Sequence, residues 1–181
     1  MVTALACGSV RTMFNQIAAD HSSDSLSSQL AMLNGILDKT LSENEGRIGA
    51  MMSMIILGMD LNTGKCALIN SGHVHPFMLN GEECNPMPVR GNPLGLGMAG
   101  MNKVYEFNLK VSGGLFFYTD GLIENKGPDG KSIRPLALRR ILGENYVSGK
   151  LKSKILEECE RVWQDIEPAD DCTFVVLKRV A

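Results

Sequence analysis

A chain of 181 residues, 44% hydrophobic, with 18 basic against 20 acidic side chains and a net charge of −2, has apolar matter for one ordinary core. It lacks the basic excess on which nucleic-acid or anionic-membrane binding draws, and no apolar run approaches the roughly 18 residues that span a bilayer. Met1 opens no basic segment with an apolar signal core, so a soluble, unprocessed, cytoplasmic protein is expected, with no nucleic acid and no membrane segment.

The first predicted element is a helix over residues 3–19, "TALACGSVRTMFNQIAA". Leu5, Val10, Met13, Phe14 and Ile17 recur at helical spacing, and Ala4, Ala6, Cys7 and Gly8 keep its start narrow enough to pack closely. Asp24 or Ser25 can cap a second helix, in which Leu26, Leu30, Leu33, Ile36 and Leu37 repeat at three and four, ending near Asn44 to Gly46.

From Ala50 the pattern becomes short β-rich runs separated by turn residues. "MMSMIILGMDL" and "KCALINSG" flank Asn62-Thr63-Gly64, and "PFMLN" and "ECNPM" flank Gly81; both read as hairpins. "VRGNPLGLGMAGMNK" reads as a long loop of the kind that serves function more often than it idles. "VYEFNLKV" and "GLFFYTD" are strands joined at Ser112-Gly113-Gly114. "SIRPLALRRIL" and "GKLKSKILEECERVWQDI" are helices separated by breaks at Gly143 and Gly149, and "CTFVVLKRV" is a closing strand. Strict βαβ alternation is missing, so the fold class is α+β with mostly antiparallel sheets covered by helices, in one domain over residues 1–181.

Two carboxylate clusters stand in mirror arrangement. Asp120 follows the strand "GLFFYT", and Asp170 and Asp171 precede the strand "CTFVVLKRV". If those strands are antiparallel neighbours, the clusters share one sheet edge. Carboxylates converging without a basic partner repel one another, and a hard divalent cation is the usual way to offset that cost. Gly121 leaves room for a water shell or a close backbone approach. Taken singly, "TDG" is an ordinary turn and Asp-Asp before a strand an ordinary solvated loop.

Other polar residues have plainer readings. His73 and His75 lie at strand spacing and could share a transition metal on one face. Arg90 and Asn92 border the Pro-Leu-Gly loop and could meet a phosphate; an exposed loop Arg is usually unspecific. Trp163 belongs to the core face of the last helix, and the methionines of "MMSMIILGM" to packing under a sheet. Cys7, Cys66, Cys84, Cys159 and Cys172 are odd in number, with no C-x-x-C spacing, and read as free buried thiols.

"FFYTDGLIENKGPDGKSI", "LINSGHVHPFMLNG", "GNPLGLG" and "DDCTFVVLKR" together resemble, in order, four motifs of the bacterial metal-dependent serine/threonine phosphatases, the PPM family in its SpoIIE and RsbU-like branch. The resemblance spans about residues 50 to 180. It implies a four-layer αββα sandwich and a site for two Mn²⁺ or Mg²⁺ ions. Asp120 and Asp170 are the implied metal ligands and catalytic residues, with Gly121 and Asp171 beside them. It also implies hydrolysis of phosphoserine or phosphothreonine on a regulatory protein by a metal-activated water. An anti-sigma-factor antagonist is the implied kind of substrate, and a sensor or receiver domain would lie upstream in the parent.

One motif departs from the pattern. The family's Asp-x-x-Gly-His-Gly segment precedes a small-residue helix similar to "MVTALACGSVRTMF", where this sequence begins. The expectation is therefore an N-terminally truncated domain without the bridging Asp and with little activity on its own. The alternative is a phosphatase-like module that binds a protein without hydrolysing it.

Overall fold

Residues 25–42 and 51–180, together with Asn15, are described by the computed structural model. The expected helix over residues 3–19 and the Cys7 thiol lie outside the described residues, apart from Asn15, which is helical. The chain divides into two compact units, residues 1–73 with 89–108 and residues 74–88 with 109–181.

In the first unit helix α1 (Leu26–Ser42) starts where Ser25 caps it. The Ser25 carbonyl accepts from the Gln29 N–H at 3.1 Å, and its hydroxyl accepts from the Ser28 N–H at 3.2 Å. Strand β1 (Met54–Met59) forms the expected hairpin with β2 (Lys65–Ser71), in register from Met54↔Ser71 to Met59↔Cys66. Strand β5 (Tyr105–Asn108) pairs antiparallel on the other side of β2, giving the order β1-β2-β5. The apolar stripe of α1 buries Leu30 against Ala67 and Ile69, and Leu33 and Leu37 against Leu94. Gly58 is small because α1 crosses here: a Cβ would stand 2.6 Å from a methyl carbon of Leu26.

The second unit is a four-stranded antiparallel sheet in the order β4-β3-β6-β7. Strands β3 (Phe77–Asn80) and β4 (Glu83–Pro86) form the second expected hairpin, closed at Gly81 with φ +64°. Strand β6 (Gly114–Tyr118) is central, between β3 and β7 (Phe174–Lys178). Helix α2 (Gly121–Glu124) is a single turn directly after β6; α3 (Pro135–Asn145) and α4 (Leu151–Trp163) cover the sheet. Their buried Leu138, Leu142 and Ile155 pack with Phe77, Leu79 and Phe116 into one core, and Trp163 packs at its margin as expected.

One local expectation is corrected. Gly143 does not break the helix, which runs through it to Asn145; it is there for contact, since a Cβ would come within 2.6 Å of the Glu82 carbonyl oxygen. The break is at Gly149, where φ is +71°. Strands β5 and β6, consecutive in sequence, belong to different sheets and do not pair. The fold class is otherwise as expected, mixed α and β with antiparallel sheets, and no helix among the described residues is long and apolar enough to cross a membrane.

Candidate functional site

The register of β6 and β7 decides where the carboxylates lie. Tyr118 pairs with Phe174 at the end of the ladder, so the chain leaving β6 and the chain entering β7 share one sheet end. There, one residue beyond the ladder, the Thr119 N–H donates to the Thr173 carbonyl at 2.9 Å. Asp120 follows at once as the cap of α2, one carboxylate oxygen accepting from the Gly121 N–H at 3.1 Å. Asp170 and Asp171 lie opposite, and one Asp170 carboxylate oxygen accepts from the Asp171 N–H at 2.8 Å. All three side chains are exposed.

Gly121 is buried, and its approach to the facing segment is the tightest feature of the region. A Cβ there would overlap the Asp171 carbonyl oxygen and stand 3.2 Å from that of Asp170. The absence of a side chain lets the two segments close on each other. Thr119 and Asn125 hold the facing backbone: the Thr119 hydroxyl donates to the Asp171 carbonyl at 3.0 Å, and the Asn125 amide bonds both backbone groups of Asp170.

The ion pairs formed among the described residues, Lys131–Asp129, Lys154–Glu157 and Arg161–Glu158, involve none of these three aspartates. A hard oxygen-donor set facing solvent, with no cationic partner among the described residues, suits a divalent ion better than an ion pair. Asp120 and Asp170 offer oxygen donors of the kind a hard cation takes, while among the described residues no group of three or more His, Cys, Asp or Glu is placed to hold a metal ion.

The remaining candidates separate. His73 is tied into its own unit, its N–H donating to the Asn70 side chain at 2.8 Å and its ring meeting the Ser53 hydroxyl at 3.2 Å. His75 belongs to the other unit. The backbone N–H of Asn92 donates to Asn102, and Arg90 is exposed. Cys84 and Cys159 are buried free thiols, Cys66 is buried and Cys172 is half-buried.

Two polar residues escaped the sequence reading. Asp38, 3% exposed, accepts from the N–H groups of Gly95 at 2.6 Å, Gly97 at 3.2 Å and Ala99 at 2.8 Å, so the long loop is gripped by α1. Its signal was present: Leu30, Asn34 and Asp38 fall at i, i+4 and i+8, polar residues on a buried stripe. The other is Asn125, in the Asp-Gly segment, whose partner backbone lies 45 residues away.

The sequence matches the family described as stage II sporulation protein E over residues 1–180. A comparison with curated protein sequences finds no match. Among solved structures, the chain is similar to the SiaA-PP2C domain of Pseudomonas aeruginosa, with a TM-score of 0.72, 15% identity, and coverage of 97% of this chain and 69% of that one. It is similar to the RsbU and RsbW domains of a Mycobacterium tuberculosis protein, with a TM-score of 0.67 and 23% identity, covering 98% of this chain but only 48% of that one. A third likeness is to the manganese-presoaked SpoIIE phosphatase domain of Bacillus subtilis, with a TM-score of 0.59 and 19% identity, covering 94% and 73%. At these identities the likeness establishes the fold.

Proposed function

The chain belongs to the stage II sporulation protein E family, and on that premise we propose that it is a metal-dependent phosphatase domain acting on phosphoserine or phosphothreonine of a regulatory protein. One observation carries this reading: the antiparallel register of β6 and β7 brings Asp120 and Asp170 to the same sheet end, with the Asp171 backbone closed against Gly121. Because the family match continues through both compact units, we take residues 1–181 as one domain.

Asp120 and Asp170 would hold a divalent cation, Mn²⁺ or Mg²⁺, with Asp171 beside them. When bound, the ion supplies Lewis acidity toward phosphoryl oxygens and toward water. The chain's own contribution is placement. Two exposed carboxylates face solvent where a phosphorylated side chain can reach them, and Gly121 lets the opposing backbone approach without a side chain between. The Mycobacterium tuberculosis neighbour contains an RsbU and an RsbW domain in one chain, which supports a phosphorylated regulatory protein, such as an anti-sigma-factor antagonist, as the substrate.

The test is hydrolysis of para-nitrophenyl phosphate and of a phosphoserine peptide by the 181-residue chain in Mn²⁺, with chelator as the control. Chelator-sensitive release of phosphate supports the reading. Capture of a phosphoprotein without turnover at saturating Mn²⁺ would replace it with a binding module.

A further inference from the structure

Asn125 is 3% exposed and follows the last residue of α2. Its side-chain N–H donates to the Asp170 carbonyl at 2.8 Å, and its side-chain carbonyl accepts from the Asp170 N–H at 3.0 Å. Both halves of one amide are therefore spent on both backbone groups of one residue 45 positions away. Such a pair fixes register: the facing segment cannot slide by one residue without breaking both bonds. Asparagine at a helix end is ordinarily favoured because it tolerates left-handed backbone, but here φ is −59° and ψ 130°, an extended conformation open to any residue. The conformation does not call for this side chain; the Asp170 backbone does.

Thr119 does the equivalent on the other side of Asp120. Its hydroxyl donates to the Asp171 carbonyl at 3.0 Å and accepts from the Thr173 N–H at 2.9 Å. The residues one before and five after Asp120 together hold the backbone of 170, 171 and 173. Two exposed carboxylates left to themselves would turn apart, since like charges repel.

Resting on the metal-dependent reading above, we propose that Asn125 and Thr119 are positioning residues, a clamp that holds Asp170 against Asp120 so that both carboxylates meet one divalent cation. Neither touches the ion or the substrate. Their effect passes through the backbone of the facing segment.

The probe is Mn²⁺ alone, added to the full 181-residue chain, with free Mn²⁺ read by electron paramagnetic resonance and the apo fold by near-ultraviolet circular dichroism. Removing hydrogen-bonded support of a ligand typically weakens metal binding 10- to 100-fold, so Asn125→Ala and Thr119→Val should each raise the Mn²⁺ dissociation constant by about that factor with the apo fold kept. Thr119→Ser, which keeps the hydroxyl, should bind within about twofold of the parent chain, an outcome that a merely space-filling role for Thr119 does not give. If Asn125→Ala fails to fold, Thr119→Val and Thr119→Ser carry the test. A folded Asn125→Ala with parental affinity, beside an Asp120→Asn that has lost Mn²⁺, overturns the clamp and leaves the metal site standing. Equal Mn²⁺ binding by the parent and Asp120→Asn overturns the metal reading and the clamp with it.

Discussion

Gly121 is pressed against the backbone of Asp171: a methyl group on residue 121 would overlap the Asp171 carbonyl oxygen and reach its carbonyl carbon at 3.0 Å. The obstacle is backbone held by Thr119 and Asn125, not a side chain free to swing aside. Alanine would gain about 1 kcal/mol of helix propensity over glycine, whereas overpacking costs typically 1–3 kcal/mol. Gly121→Ala should therefore be net destabilising in urea titration and should weaken Mn²⁺ binding. Unchanged stability would mean that the facing segment moves freely.

Asp120→Asn and Asp170→Asn keep shape and remove charge. Each should lower Mn²⁺-dependent turnover by about 100-fold or more, while the metal-free melting temperature stays level or rises because a repulsion is gone. Asp129 is the control, an exposed carboxylate 2.8 Å from Lys131 in the turn after α2. If Asp129→Asn costs as much turnover as Asp120→Asn, the assignment of Asp120 is wrong.

The grip of Asp38 on residues 95–99 gives a separate test in the other unit. Asp38→Ala leaves three backbone N–H groups without their shared carboxylate, and a hydrogen bond to a charged group is worth about 1.5–3 kcal/mol. A loss of about 3 kcal/mol in urea denaturation is expected, with Asp38→Asn falling between. A change below about 0.5 kcal/mol would show that water replaces the carboxylate at no cost.

Burial pushes the Cys84 thiol up to about 11, against a smaller opposing pull from Arg139, and the Cys159 thiol up to about 12, helped by Cys172 and Glu158. Ordinary thiols ionise near 9, so above that pH the unfolded chain releases protons that the folded chain keeps. The stabilisation is complete below pH 9 and is lost as pH rises towards 11–12. Urea midpoints measured from pH 7 to 10.5 should begin to fall near pH 9, and more gently in Cys84→Ala and Cys159→Ala; parallel profiles in all three would refute this.

Much of this arrangement was legible because it is local. Two hairpins announced themselves by Asn62-Thr63-Gly64 and Gly81, and the arrival of Asp120 and Asp170 at one sheet end followed from one conditional, that their strands be antiparallel neighbours, which the Tyr118↔Phe174 register satisfies. What was not legible depends on partners distant in sequence. Gly143 read as a breaker because nothing in its helix reveals the Glu82 carbonyl pressed against it. Nothing near Asn125 in sequence signals its value, which lies in a backbone 45 residues away.

The placement of Asp170 on the approach to β7 also sets a timetable. Asp170 is made 50 residues after Asp120, which at 5–20 residues per second puts it on the ribosome roughly 3–10 s later. Until then β6 has its β3 neighbour but not its β7 neighbour, and Asp120 stands alone. A nascent chain is thus unable to bring Asp120 and Asp170 to one sheet end before most of its helices have been synthesised, and a product that ends between α2 and β7 lacks that pairing.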